Sequence, residues 1–217
     1  MKKIVDLTMV WGTEITPVPG LPSIKFSPLT THEEHTRSNT KVVFSIHTGT
    51  HIDAPYHMVP DGITIEHVPL EIFIGPALVV DVTDKDKSKE PITVDMLKEA
   101  GLPGYDVLKD KRLILHSGWA EKHWNKEDFY TANPYIHTET AEYLAESGIK
   151  AFALDCAVDQ GDPFPVHRIF LRKGIPLIEN CVNLGALPRD KEFTLIAFPL
   201  KVEHGDGSPA RVVALVD

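Results

Sequence analysis

The sequence has few cysteines and no long hydrophobic run. Its 217 residues include two cysteines, Cys156 and Cys181. Both lie in apolar surroundings, so we predict buried thiols and no disulfide framework. No stretch of about 18 apolar residues occurs, so no transmembrane helix is expected. The first apolar run is broken at Asp6 and Thr8, which predicts a chain without a signal peptide and a cytoplasmic location.

Basic charge is also scarce. The 22 lysines and arginines are outnumbered by 31 aspartates and glutamates, and the net charge is −9. The most charge-dense run, residues 84–90, mixes both signs. The sequence therefore has no patch suited to neutralising phosphates, and no nucleic-acid partner is expected. We find no internal repeat, and the length suits one sizeable core, so we predict one domain over 1–217.

Short apolar runs, punctuated by proline and glycine, predict an α/β fold with strands and peripheral helices around one core. The proline-rich segment 15–28 is interpreted as an extended loop or an active-site cover. Apolar alternation or continuity indicates strands at 2–8, 41–47, 76–83, 112–117, 150–156, 175–181, 193–200 and 210–216. Apolar faces with a capping threonine or a terminal glycine indicate helices at 93–101, 138–148 and 164–174.

Histidine is concentrated in one segment, HTGTHIDAPYH. The chain has 11 histidines, so an eleven-residue window should hold about 0.6 by composition. Residues 47–57 hold three, His47, His51 and His57, together with Asp53. The alternative to a functional cluster is a set of polar loop residues satisfied by hydrogen bonds, which suits a lone histidine better than four such groups together.

Two imidazoles and a carboxylate form a ligand set for Zn²⁺, Mn²⁺ or Fe²⁺ rather than for Ca²⁺ or Mg²⁺. A spacing of four would place His47 and His51 on one helix face. Gly49 and Pro55 argue against a helix, and a tight loop leaving a strand can also bring these side chains together. A catalytic metal lowers the pKa of a bound water, and a nearby histidine such as His57 suits proton transfer.

This segment resembles the HxGTHxDxPxH signature of the cyclase family of metal-dependent hydrolases, which includes bacterial kynurenine formamidase and isatin hydrolase. The resemblance implies that His47, His51 and Asp53 bind metal and that His57 donates and accepts the proton. It further implies a second pair of ligands, a histidine and a glutamate twelve residues apart, which His167 and Glu179 match. One or two divalent metals, zinc or manganese, would be bound.

The resemblance extends more loosely over most of the chain. It implies a swivelling β/β/α architecture, with a mixed, barrel-like sheet, and an assembly of two or four identical subunits. It places Trp11, Pro19, His116 and Trp119 around the substrate pocket. The formamidase branch carries a tryptophan beside the Pro-Gly of the proline-rich loop, where this chain has Val18.

The implied activity is hydrolysis of a small amide, either an N-formyl arylamine such as N-formylkynurenine or a cyclic amide or imide. Three alternatives stay open: hydrolysis of a lactone or ester, cyclisation at the same site, and a non-catalytic metal-binding protein.

Ser117, His116 and Asp155 do not form a convincing serine triad, because no GxSxG elbow surrounds Ser117. Asp155 and Asp159 either bond ligand imidazoles or cap loops, and Asp206 is interpreted as a turn residue.

Overall fold

The described residues, 2–12, 15–83 and 88–217 of a computed structural model, form strands surrounded by helices. Residues 84–87 of the charged run lie outside this description. The strands are β1 Lys3–Asp6, β2 Lys25–Thr30, β3 Asn39–Val43, β4 His51–Asp53, β5 Ile74–Asp81, β6 Pro91–Ile92, β7 Arg112–His116, β8 Tyr135–Ile136, β9 Ala151–Leu154, β10 Leu177–Glu179, β11 Phe193–Pro199 and β12 Gly207–Val216. The α-helices are α1 His32–His35, α2 Val94–Glu99, α3 Tyr105–Leu108, α4 Trp119–His123, α5 Thr138–Glu146 and α6 Pro165–Arg172.

The main sheet closes on itself. Its strand order is β1-β12-β11-β5-β7-β9-β10-β4, and β4 also pairs with β12. Seven strands therefore form a barrel, and β1 extends β12 outside the ring. The strands β5, β7, β9 and β10 run parallel to one another, whereas the remaining barrel pairs are antiparallel. The predicted α/β class with a mixed, barrel-like sheet and peripheral helices is confirmed.

Side chains on the two faces of the parallel strands belong to two different apolar cores. On β9, Ala151 and Ala153 face a cluster to which every barrel strand contributes, which is the barrel interior. Phe152 and Leu154 face the other cluster, which contains the buried sides of α5 and α6. Because both faces of the strand are covered, its sequence is continuously apolar rather than alternating. Burying a phenylalanine or leucine stabilises the fold by about 1.5–3 kcal/mol.

The helices predicted at 93–101, 138–148 and 164–174 correspond to α2, α5 and α6. Thr93 caps α2 as expected, since its hydroxyl accepts a hydrogen bond from the Met96 amide at 3.4 Å. Cys156 and Cys181 are buried free thiols, also as predicted. No α-helix in the described ranges is both long and apolar enough to cross a bilayer.

The strand prediction at 41–47 is wrong at its C-terminal end. Strand β3 stops at Val43, because its partner β2 begins at Lys25 and the register pairs these two residues. Beyond Val43 there is no strand to bond with, and the chain turns towards His47. Strand β2 also overlaps the end of segment 15–28, which the sequence predicts as loop throughout.

The histidine segment itself supplies the strand that closes the barrel. Strand β4 pairs Asp53 with Leu177 on β10 and His51 with Glu179. On its other side, Asp53 pairs with Gly207 on β12. Two predicted metal ligands, His51 and Glu179, therefore face each other across one ladder. The closure of the barrel and the assembly of the cluster depend on the same three-residue strand.

Gly207 allows β4 and β12 to approach closely at this closure. A Cβ at this position would lie 2.5 Å from the Ile52 carbonyl oxygen and 3.1 Å from His47 Cε1.

We expect Gly207→Ala to lower the free energy of unfolding by about 1–3 kcal/mol, the usual cost of overpacking, measured by chemical denaturation. Gly12→Ala is the control, since its Cβ would meet nothing within 4 Å. Equal stability of the two variants would contradict this account.

Candidate metal centre

The segment 47–57 is not helical but follows three short conformations in turn. A turn carries His47, and Gly49 there has a positive φ of 63°. Trp11 Nε1 lies 3.3 Å from the place that a Cβ of Gly49 would occupy. The strand β4 follows, and then a 3₁₀ turn over Pro55–His57. The tight turn next to a strand, rather than a helix face, therefore brings the histidines together.

Two of the buried histidines have one ring nitrogen bound to an obligate acceptor. Nδ1 of His51 donates to the Gly49 carbonyl at 2.8 Å, and Nδ1 of His167 donates to Asp159 Oδ2 at 2.7 Å. Carbonyl and ionised carboxylate oxygens only accept, so each Nδ1 carries the hydrogen. In the neutral imidazole, Nε2 then holds the free lone pair, as in metal-ligating histidines.

These Nε2 atoms point at two buried carboxylates. Nε2 of His51 lies 3.3 Å from Asp53 Oδ1 and 3.8 Å from Glu179 Oε2. Nε2 of His167 lies 3.5 Å from Asp53 Oδ2 and 3.5 Å from Glu179 Oε1. A nitrogen lone pair and a carboxylate oxygen repel each other at such distances. A proton or a metal cation must lie between them for the contact to be attractive.

His47 repeats this arrangement with its ring nitrogens exchanged. Its Nε2 donates to Asp206 Oδ2 at 3.0 Å, and its Nδ1 lies 2.8 Å from Asp53 Oδ1. Three imidazoles thus direct a nitrogen at Asp53, which is completely buried. The other oxygen, Oδ2, is buried without a hydrogen-bond partner in the described part of the chain. An unpaired buried carboxylate is costly, and a cation at this position would remove the cost.

Two groups of ligand atoms share Asp53. His51, Asp53 and Glu179 offer atoms within 4.8 Å of one another, and so do His47, Asp53 and His57. Imidazole nitrogens and carboxylate oxygens together suit a divalent transition metal or zinc. The predicted ligands His47, His51, Asp53, His167 and Glu179 are thus brought into one buried cluster that fits divalent metal.

The same contacts govern the ionisation of the cluster. Burial opposes the charge on His47, but hydrogen bonds with Asp206 and Asp53 raise its pKa to about 10. Burial likewise opposes the charge on His167, yet its hydrogen bond to Asp159 and the nearby Asp53 carboxylate raise its pKa to about 10. For His57, burial is the dominant cause and lowers the pKa to about 4. The surroundings of His47 and His167 therefore favour the charged imidazole, whereas those of His57 favour the neutral one.

Asp159 accepts three hydrogen bonds at the start of α6, two of them from His167. Its Oδ2 accepts from the ring and from the backbone amide of His167, at 2.7 and 3.0 Å, while Oδ1 accepts from the Val166 amide at 3.1 Å. Asp159 therefore both orients an imidazole and caps the start of α6, the two roles that the sequence left open. Asp155 bonds no imidazole but caps a loop, since its Oδ1 accepts from the amide and hydroxyl of Ser117 between β7 and α4.

The cluster forms the floor of a cavity of about 430 Å³, a size typical of sites for small molecules. Polar groups from the cluster, including Asp206, lie on one side of it. The rest of the lining is largely apolar and consists of Val18, Pro19, Leu21, Met58, Tyr130, Ala157 and Phe164. The cavity can therefore take a small ligand with an apolar body and a polar group directed at the cluster.

Of the four predicted pocket residues, the structure brings only Pro19 to this cavity. Trp11 packs against Phe44, with ring centroids 4.5 Å apart, and borders a separate surface pocket. His116 is buried with its Nδ1 3.3 Å from Asp81 Oδ2. The indole of Trp119 is buried in the core and donates to the Phe129 carbonyl at 2.8 Å.

Asp206 is the site residue that the sequence interpretation missed. The segment HGDGS has the composition of a turn, and Asp206 precedes β12 as a turn residue would. It is 159 positions from His47, the residue it bonds. Its carbonyl oxygen accepts from the Ala54 amide at 2.9 Å. No local sequence signal predicts this contact, because barrel closure alone brings the two segments together.

We expect Asp159→Asn to weaken metal binding by about 10–100-fold, as loss of an outer partner of a ligating histidine does. The reason is that an amide can present a donor to Nδ1 of His167 and disturb its orientation. Competition with a chromophoric chelator measures the affinity. Asp155→Asn is the matched buried control and should leave the affinity unchanged. Unaltered affinity in Asp159→Asn would show that this contact is irrelevant to metal.

Comparison with known proteins agrees with the geometry. The fold and the cluster define a metal-dependent hydrolase. The family described as "Putative cyclase" matches residues 5–159. Kynurenine formamidase of Bacillus cytotoxicus is 32% identical, over 96% of this chain and 95% of that protein. Kynurenine formamidase of Bacillus anthracis is 31% identical, over 97% and 96%. The chain therefore belongs to the cyclase family.

A solved structure gives the same result for the fold. An isatin hydrolase bound to the product analogue thioisatinate superposes with a TM-score of 0.87 and 26% identity. The match covers 99% of this chain and 92% of that one. Isatin hydrolase A from Labrenzia aggregata, bound to benzyl benzoate, matches with a TM-score of 0.82 and 26% identity, over 99% and 94%. The barrel and its helices are thus shared over nearly the whole length.

Proposed function

We propose that the protein is a zinc- or manganese-dependent amidohydrolase with up to two metal ions per subunit. Their ligands would be His47, His51, Asp53, His167 and Glu179. The observation that carries this proposal is the convergence of three imidazoles on Asp53, each directing one nitrogen inwards. The outer nitrogen of each ring is bound to an acceptor, so the inward one is free to coordinate. The group of His51, Asp53 and Glu179 supports one ion, and His47 and His167, which also face Asp53, offer nitrogens to a second.

The chemistry at this centre would be hydrolysis by water, with His57 moving the proton. A divalent metal supplies an activated water and polarises the scissile carbonyl. His57 lines the same cavity and has its ring centroid 4.0 Å from that of His47. A neutral imidazole at this position can take the proton from the attacking water and return it to the leaving nitrogen.

The substrate would be a small amide with an apolar or aromatic body. N-formyl arylamines such as N-formylkynurenine, and cyclic amides such as isatin, fit this description. The cavity of about 430 Å³ and its apolar walls support this class, as do the names of the relatives. Met58 and Phe164 offer apolar surface to an aromatic ring. Val18 is smaller than the tryptophan of the formamidase branch and leaves more room on that wall.

The remaining expectations stay predictions. We expect the small-molecule substrate to be the only ligand besides metal, and the subunits to form a homodimer or homotetramer in the cytoplasm. The exposed apolar side chains Leu29 and Val43, 57% and 50% exposed on the β2–β3 hairpin, support self-association.

The proposal is tested by measuring metal content and turnover together. The purified protein is expected to carry one or two equivalents of zinc or manganese by elemental analysis. It should hydrolyse N-formylkynurenine or isatin faster than a simple lactone, and a chelator should remove the activity. Retention of full activity after complete metal removal would refute the proposal. Faster lactone than amide hydrolysis would replace the amide by an ester.

Substitutions separate the proton carrier from the ligands. His57→Ala is expected to lower kcat by about 10²–10⁴-fold, the usual contribution of general acid–base catalysis, with nearly normal metal content. His47→Ala and Asp53→Ala should lose both metal and activity. His204→Ala is the control, because His204 is exposed and lies outside the cavity. Loss of metal in His57→Ala would assign His57 as a ligand instead.

A further inference from the structure

Asp206 places a carboxylate beside the histidine segment from a distant part of the chain. Its own carbonyl oxygen accepts a hydrogen bond from the Ala54 amide at 2.9 Å. The next residue, Gly207, pairs with Asp53 in the ladder that closes the barrel. The backbone of Asp206 is thus fixed on both sides relative to the segment. Its carboxylate lines the cavity and is 42% exposed, so it is accessible from the cavity.

One oxygen of this carboxylate lies between two imidazoles. Oδ2 of Asp206 is 3.0 Å from Nε2 of His47 and 3.7 Å from Nδ1 of His57. The two rings are themselves close, with centroids 4.0 Å apart and an angle of 34° between their planes. The 3.0 Å contact is a hydrogen bond, while the 3.7 Å contact lies just outside bonding distance. Catalytic hydrogen bonds are often long before substrate binds and shorten in the reacting complex.

The chemistry of a carboxylate restricts what each facing nitrogen can carry. An ionised carboxylate has no hydrogen to donate, so a ring nitrogen that bonds it must carry one. Once the 3.7 Å contact shortens to a hydrogen bond, it selects for His57 the form with hydrogen on Nδ1 and leaves the lone pair on Nε2. The choice matters because the other form would offer the cavity a donor at Nε2 instead of a base.

We propose that Asp206 is a positioning residue for His57, holding the tautomer in which Nε2 exchanges the proton with water and substrate. This inference rests on the proposed function, in which His57 carries that proton. Asp53 is not available for the same task. It faces His47, His51 and His167 at 2.8, 3.3 and 3.5 Å. Asp206 instead presents its Oδ2 to Nδ1 of His57 at 3.7 Å.

Asp206 could instead act only by holding His47, a proposed metal ligand. The two roles predict different measurements. A residue that only holds His47 changes metal affinity, and saturating metal restores the rate. A residue that positions His57 changes the rate at saturating metal and has no effect once His57 is gone.

The experiment compares Asp206→Asn with the wild type, each also in a His57→Ala background. An asparagine amide can turn its NH₂ towards Nδ1 and favour the opposite tautomer. Metal affinity should weaken, because Asp206 also bonds the proposed ligand His47. We expect kcat at saturating metal still to fall by about 10–100-fold, the range for loss of an orienting partner, with KM within about threefold. In the His57→Ala background the same substitution should change kcat less than about twofold, since coupled residues are not additive. Asp61→Asn removes an equal charge at an exposed position outside the cavity and serves as control.

Two results would overturn the proposal. One is full recovery of the Asp206→Asn rate at saturating zinc or manganese, and the other is an undiminished loss in the His57→Ala background. A second readout does not need turnover. Ring ¹⁵N shifts of His57 in the zinc-loaded protein should show hydrogen on Nδ1, and this should change in Asp206→Asn. If the wild type hydrolyses no amide, the proposed function fails, and an unchanged ¹⁵N pattern would separately refute the role of Asp206.

Discussion

The fully buried carboxylate of Asp53 is the group on which the rest of the structure depends. It sits on β4, the three-residue strand that closes the barrel by pairing with β10 and β12. Three imidazoles direct nitrogens towards it, and one of its oxygens has no other partner among the described residues. A buried charge is stable only when it is compensated. The pairing of β4 with β10 and β12 therefore both closes the barrel and assembles the cation site.

Around this carboxylate the polar groups are ordered in two layers. The inner layer directs lone pairs at a common point, and the outer layer consists of acceptors that hold the other side of each ring. The Gly49 carbonyl, Asp159 and Asp206 come from a turn, the loop before α6 and the residue before β12. Because these acceptors belong to different elements, the imidazole orientations are set by the whole fold. The cavity is lined both by these polar groups and by apolar side chains, a combination that suits a small ligand with an apolar body and a polar group.

The strands and helices were largely predictable because buried segments have a local pattern of apolar residues in the sequence. Run 150–156 is apolar because both faces of β9 are buried. In run 193–200 the face of β11 that points into the barrel is buried, and the other face is partly exposed. The strand predicted at 41–47 is too long, because apolar alternation gives no information on where the partner strand begins. The partner β2 begins at Lys25, which pairs with Val43. His116 and Trp119 were expected around the pocket, yet the structure buries His116 beside Asp81 and Trp119 in the core.

The sequence by itself determined the chemistry of the site, because HTGTHIDAPYH supplies three imidazoles and a carboxylate within eleven residues. The spacing of His167 and Glu179 added two more candidates through family resemblance. Only the tertiary structure decided which nitrogen of each ring faces inwards and that Asp206 joins the cluster. Those facts depend on contacts between residues far apart in the chain, such as the 159 positions between His47 and Asp206. Local composition carries no signal for such contacts, since they exist only once β4 lies between β10 and β12.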